Sequence, residues 1–183
     1  LLVPATIFWV VLAGGVGLVA LSGHCMVARW AFAPVCGFDF WRVIVTSPEV
    51  LIFLFFMLTD PKTVPRGRVG RMLFAIVLAI VATVLIAPQT NEFWTKVALL
   101  GSLVIVCAAR PLLERLVPAA GSVDDDPMRF VRRLVEKGPA AVLAGAGALM
   151  LAVALVAVGI VAAGGPARDV VDPPTEDVVG RVV

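Results

Sequence analysis

The chain has 183 residues and a mass of 19.3 kDa; 61% are hydrophobic types and 15% charged, the formal net charge is +2, and the mean hydropathy is +1.03. A soluble domain of this size buries a core but cannot hide that much apolar side chain from water. The composition therefore argues against a soluble enzyme, a disordered regulator or a nucleic-acid binder, and makes the bilayer the expected solvent.

Leu1 stands first, as expected of a fragment or a processed chain. Residues 1–22 are apolar, with no basic segment before them and no small-x-small cleavage site after them. They read as a membrane span rather than a signal peptide. His24, the single histidine, follows. One histidine cannot build a metal site; it can relay a proton, bind a quinone carbonyl or haem, or serve as a plain interfacial polar residue. Cys25 and Cys36 share a loop and can form a disulfide if that loop faces an oxidising compartment. Cys107 lies in an apolar run as a small core residue. With no CxxC present, neither zinc nor an iron–sulfur cluster is expected. Arg29 with Trp30, and Trp41 with Arg42, look like interface anchors.

The second apolar stretch, 43–58, contains Ser47, Pro48 and Glu49, a helix-start signal. Serine caps, proline fits the first helical position, and glutamate favours the positive end of the helix dipole. A helix starting at Pro48 and ending near Thr59 is about 18 Å long, short of a core of roughly 30 Å. Two readings follow: a broken or re-entrant helix over residues 47–59 whose N-terminus lines a cavity, or one kinked span from Phe40 to Thr59 with Glu49 paired to Arg42. Half-helix ends of the first kind bind anionic groups or ligand carbonyls. Asp60 before Pro61 ends the helix. Lys62, Arg66, Arg68 and Arg71, interspersed with Pro65, Gly67 and Gly70, form a basic turn that can hold a phosphate or an acidic partner, or can simply set topology.

Further spans are expected over 72–87, over 93–109 with Lys96 snorkelling to the surface, and over 140–163. Between the last two, Asp126 is a candidate N-cap, Pro127 a first helical residue and Gly138 a stop. Residues 124–138 thus form either a cytoplasmic interfacial helix or a solvated connector. In the last span Ala140, Ala144, Ala148 and Ala152 recur every four residues, a stripe suited to close helix packing. The acidic, proline-containing tail 164–183 reads as an extracytoplasmic linker.

The fold class is therefore all-α, a polytopic membrane domain over 1–163 with about five helices. Ten of the 15 lysines and arginines fall in loops 59–71 and 110–139, which the positive-inside rule places in the cytoplasm, with the tail outside. The expected location is the plasma (inner) membrane.

The run Phe55, Phe56, Met57, Leu58, Thr59, Asp60, Pro61, Lys62 and Thr63, followed by Pro65, Gly67 and Arg68, resembles the FFMxTDPxTxP…GR signature of the RnfD/NqrB membrane subunits. The longer string around it, with APQTNEFWTKVALL downstream, is similar to the RnfD-like (UnbU-type) membrane proteins of actinobacterial enediyne biosynthetic clusters. The resemblance covers about residues 23–117. It implies a multi-span fold with re-entrant character, flavin or quinone nearby, and redox partner subunits. The family's covalent FMN motif, a threonine in an S/D-G-x-T-like sequence, is absent here, so only a non-covalent flavin or quinone carries over. Thr59, Asp60, Lys62 and Thr63 carry over as a structural or cofactor-flanking turn, beside Ser47, Glu49 and His24 as residue-based candidates. No catalytic residue transfers, and one histidine supports no hydrolytic set. Three functions remain open: electron transport or association with enediyne biosynthesis, export or self-resistance for a hydrophobic product, and a non-catalytic membrane scaffold.

Overall fold

The computed structural model describes residues 2–28, 33–58, 60 and 62–136. The expected span 140–163, the tail, Arg29, Trp30, Thr59 and Gly138 lie outside the described residues.

The apolar runs become helices, in the order α1 (Leu2–Leu21), α2 (Gly37–Val45), α3 (Pro48–Ile52), α4 (Arg68–Ile86), α5 (Glu92–Ala108), α6 (Arg110–Leu116) and α7 (Pro127–Glu136). A π-helical turn over Phe53–Met57 continues α3. A two-stranded antiparallel sheet, β1 (Cys25–Met26) with β2 (Val35–Cys36), sits between α1 and α2. Among the described residues three helical runs are long and apolar enough to cross a membrane: Leu2–Leu21 with 20 residues, Gly37–Met57 with 21 and Arg68–Ile86 with 19. The fourth expected span, α5, has 17 residues.

Helix α4 is the centre, packing against both α1 and α5. Phe74, Ala75, Leu78, Ala79 and Ala82 on it are fully buried. Close approach of α1 and α4 depends on Gly15: a Cβ there would lie 2.5 Å from Thr83 Oγ1 and 2.6 Å from its Cγ2. The Thr83 hydroxyl donates to Ala79 O at 2.8 Å, which holds the side chain in that rotamer. Small residues at such crossings let helix backbones meet.

The second run begins at Gly37 rather than at Val43 or Phe40. Gly37 takes a φ of 57° and turns the chain directly from β2 into α2, with Cys36 at the N-cap. The run breaks where the sequence signals it: Ser47 is extended (φ −63°, ψ 140°) because the residue before a proline avoids the helical region. The Ser47 hydroxyl then accepts from Val50 N at 3.3 Å. Trp9 Nε1 of α1 donates to Val45 O at 3.1 Å, serving a carbonyl near the end of α2. Trp41, expected as an interface anchor, instead packs against Gly17 and donates to Ala13 O of α1 at 2.7 Å. In the π-helical turn Leu58 N donates to Phe53 O at 3.0 Å, and Phe53 packs on Phe8 with ring centroids 5.4 Å apart.

Helix α4 begins at Arg68, not Met72, because a distant residue caps it. Asp125 accepts from Arg68 N and Val69 N, each at 3.0 Å, and from Gly121 N at 3.3 Å. Asp125 as a whole is 9% exposed. Gly67, at φ 98°, leaves room for it: a Cβ there would come within 3.0 Å of Asp125 Oδ1. Asp125 thus serves the backbone amides at the end of the basic turn. The cap expected at Asp126 also forms, with Asp126 Oδ1 accepting from Met128 N at 3.2 Å at the start of α7.

Gly15→Ala should destabilise the protein by about 1–3 kcal/mol through overpacking against Thr83. Thermal unfolding in detergent measures this, and Thr83→Ala in the same chain should recover most of the loss, since the two sites touch.

Candidate functional site

A charged cluster forms where the break in the second run meets the first turns of α5. Glu49 sits one residue past the proline of α3, a position set by the Ser47 cap. On α5, Asn91 caps the helix by accepting Phe93 N at 2.9 Å, Glu92 opens the first turn, and Lys96 follows one turn later. Lys96 Nζ lies 2.6 Å from Glu49 Oε1 and 2.8 Å from Glu92 Oε1. The side chains of Glu49 and Lys96 are each 41% exposed, and that of Glu92 19%. The expected Glu49–Arg42 pair does not form; Glu49 pairs with Lys96 of α5 instead. Lys96 likewise stays at the two carboxylates rather than reaching out alone.

The cluster borders a cleft of about 40 Å³ whose polar wall adds Ser47 and Thr95, and whose apolar wall includes Met26, Ile44, Ile86 and Leu99. Thr95 is 4% exposed, its hydroxyl donating to Glu92 O at 2.6 Å. A water needs at least about 10–15 Å³ of such space. An organic ligand needs a pocket of roughly 300–1,000 Å³. The cleft has room for water, protons and small ions.

Of the residues singled out in the sequence, the structure brings Ser47 and Glu49 together in this cleft. His24 stands apart from its lining: Nε2 meets Gln89 O at 2.6 Å and the ring meets Phe40 edge-on at 4.8 Å. It ties the loop after α1 to the connection between α4 and α5. Asp60 and Thr63 form a turn of their own beyond the far end of the second run. Asp60 accepts from Lys62 N at 3.0 Å and from the Thr63 hydroxyl at 3.1 Å. The Lys62 amide, with help from Thr63, holds the Asp60 carboxyl below its ordinary pKa. The Lys62 carbonyl accepts from Arg110 Nη1 at 2.8 Å, fastening the turn to α6. The residues that sequence reasoning missed are Glu92, Thr95 and Asp125. The four-residue spacing of Glu92 and Lys96 is a readable helix pair; nothing local marks Glu49 or Asp125 for its distant partners. Among the described residues no group of three or more His, Cys, Asp or Glu side chains could hold a metal ion.

No family model, no curated protein and no solved structure matches the chain.

Two predictions follow from these charges. Lys96→Gln removes two ion pairs and Glu49→Gln only one, a half-exposed pair worth about 0.2–1 kcal/mol, so Lys96→Gln should destabilise the fold more; thermal unfolding of the two variants gives the ranking. For Asp125, burial opposes ionisation, but the amides of Arg68, Val69 and Gly121 outweigh it and hold the pKa below the usual aspartate value. A lowered folded-state pKa means that the unfolded chain binds more protons in acid. The cap therefore contributes in full above the unfolded value of about 3.9 and is lost as pH falls through the lower folded value. Asp125→Asn should flatten the acid limb of a stability–pH curve, leaving the slope due to Asp60 and other carboxylates.

Proposed function

We propose that the chain is a multi-pass subunit of the plasma membrane, of RnfD/NqrB type, that passes protons or small cations beside electron transport carried out by partner subunits. The observation that carries this reading is the Glu49–Lys96–Glu92 cluster against a broken helix inside a run long and apolar enough to cross a membrane. Ionisable groups in such segments are costly and mark ion or proton paths. Broken helices place their freed backbone groups where a cavity can use them. The small cleft supports ion or proton handling by this chain. The Asp60–Thr63 turn keeps a structural role.

On this reading the chain spans five times, with loops 59–71 and 110–139 in the cytoplasm. Independent support for the orientation comes from the Cys25–Cys36 disulfide. It lies in loop 23–42, which the charge rule puts outside, where disulfides persist.

The test is made on the chain purified with its partners in mild detergent and then reconstituted in vesicles. Absorption between about 350 and 600 nm should travel with the partner subunits. Glu49→Gln should lower redox-driven proton or cation uptake about tenfold while the complex stays assembled, as expected for loss of a group in the ion path. Unchanged uptake in an assembled complex overturns the reading.

A further inference from the structure

We infer that Arg66, Arg71 and Arg115 form a binding surface for anionic phospholipid headgroups at the cytoplasmic end of the chain, with Leu112, Met128 and Val131 seated where headgroups meet acyl chains. The inference rests on the membrane reading above and not on the ion path.

Charge pairing singles out these three arginines. Each described acid at that end has a basic neighbour of its own. Glu114 pairs with Arg110 at 2.8 Å and Asp124 with Arg133 at 2.7 Å. On α7, Asp126 pairs with Arg129 at 3.9 Å and Glu136 with Arg132 at 2.9 Å. The charges of Lys62 and Arg68 act on Asp60 and Asp125. Arg66, Arg71 and Arg115 are left over. All three are exposed, and among the described residues none of their side chains makes an ion pair or a hydrogen bond.

The fold gathers them at one end. Arg66 precedes α4, and Arg71 lies in its first turn. At the start of α6, Arg110 Nη1 donates to Lys62 O at 2.8 Å. Past its end, Val117 Cγ2 would lie 3.7 Å from a Cβ on Gly70, the neighbour of Arg71. Helix α6 is therefore held against the basic turn at both ends, and Arg115 in its last turn lies with Arg71. Apolar side chains share this surface. Leu112, 61% exposed, precedes Arg115 by three residues on α6, and Met128 and Val131, 78% and 56% exposed, have the same spacing on α7. Residues three apart share a helix face.

Position favours lipid over a soluble acidic partner. Helix α4 is long and apolar enough to cross a membrane, which puts its first turn, and Arg71 with it, at headgroup depth. Guanidinium groups beside exposed apolar side chains match a layer in which phosphate lies next to acyl chain. The α4 amides of Arg68 and Val69 are taken by Asp125, so recognition falls to the guanidinium groups, whose planar donors fit two phosphate oxygens.

The test is native mass spectrometry of the full chain in non-ionic detergent with equal amounts of phosphatidylglycerol and phosphatidylcholine of matched acyl chains. The retained ratio should favour phosphatidylglycerol about a hundredfold, a factor of about five for each arginine, and should fall about fivefold in Arg66→Gln and again in Arg71→Gln. Arg132→Gln with Arg133→Gln removes charges that are already paired and should leave the ratio unchanged. Equal retention of the two lipids by the unaltered chain overturns the proposal without any variant. A loss in the Arg132 and Arg133 variant as large as in the Arg66 and Arg71 variants also overturns it, because the preference is then one of net charge alone. Inorganic phosphate should displace no more phosphatidylglycerol than sodium chloride of equal ionic strength; greater displacement assigns the surface to free phosphate. Displacement by polyglutamate at that ionic strength assigns it to an acidic protein segment, and either result overturns the lipid assignment. Glu49→Gln should keep the lipid ratio, so failure here is distinguishable from failure of the ion path, and a chain that stays monodisperse without detergent fails the membrane reading instead.

Discussion

Pro48 cannot donate a backbone hydrogen bond, and the arrangement around the second apolar run answers that one missing donor. A proline inside a helix removes an amide and forces the preceding residue out of the helical region. In water the freed carbonyls would be solvated; in an apolar run they need partners from the protein. Ser47 N reaches Ile44 O at 3.4 Å, Trp9 takes Val45 O, and the Ser47 side chain takes Val50 N. Among the described residues no buried side-chain nitrogen or oxygen lacks a partner. Glu49, two residues past Ser47, pairs there with Lys96 of α5, which also holds Glu92. The charged cluster thus forms at the helix break.

Helix α4 supplies the frame on which this break can be tolerated. It is the most buried of the three long runs, and its N-terminal amides form the positive end of the helix dipole. Asp125 neutralises them from a loop far along the chain, and Gly67 leaves the space that the carboxylate fills. Arginines crowd the same turn, yet the helix end itself is served by an internal acid. An anion seeking those amides would have to displace a carboxylate that is already held by two of them and by the Gly121 amide.

The two ends of the fold are stabilised by different means. At the Asp125 end, caps and turns built on carboxylates do the work: Asp125 on α4, Asp126 on α7 and Asp60 on its own turn. At the other end a disulfide, a two-residue sheet and the His24–Gln89 contact bind the loop after α1 to the connection between α4 and α5. The first set weakens in acid and the second under reduction, so the two ends respond to different conditions while sharing α4 as their rigid element.

Much of this was legible in the sequence, because the signals are local. Apolar runs near the length of a bilayer core gave α1, α4 and α5 to within a few residues. The Ser47, Pro48 and Glu49 triplet marked the helix break, and Asp126 with Pro127 marked the start of α7, since capping depends on residues three or four positions away. What tertiary structure alone decided was partnership across the chain. Glu49 pairs with Lys96 of α5 rather than with Arg42, a partnership across the chain that no local pattern encodes. Arg68 and Arg71 lie on a helix rather than in a loop because Asp125, 56 and 57 residues away from the amides it binds, caps it. Composition and spacing determine which residues want burial or a cap; only the packed chain brings the distant group that satisfies them.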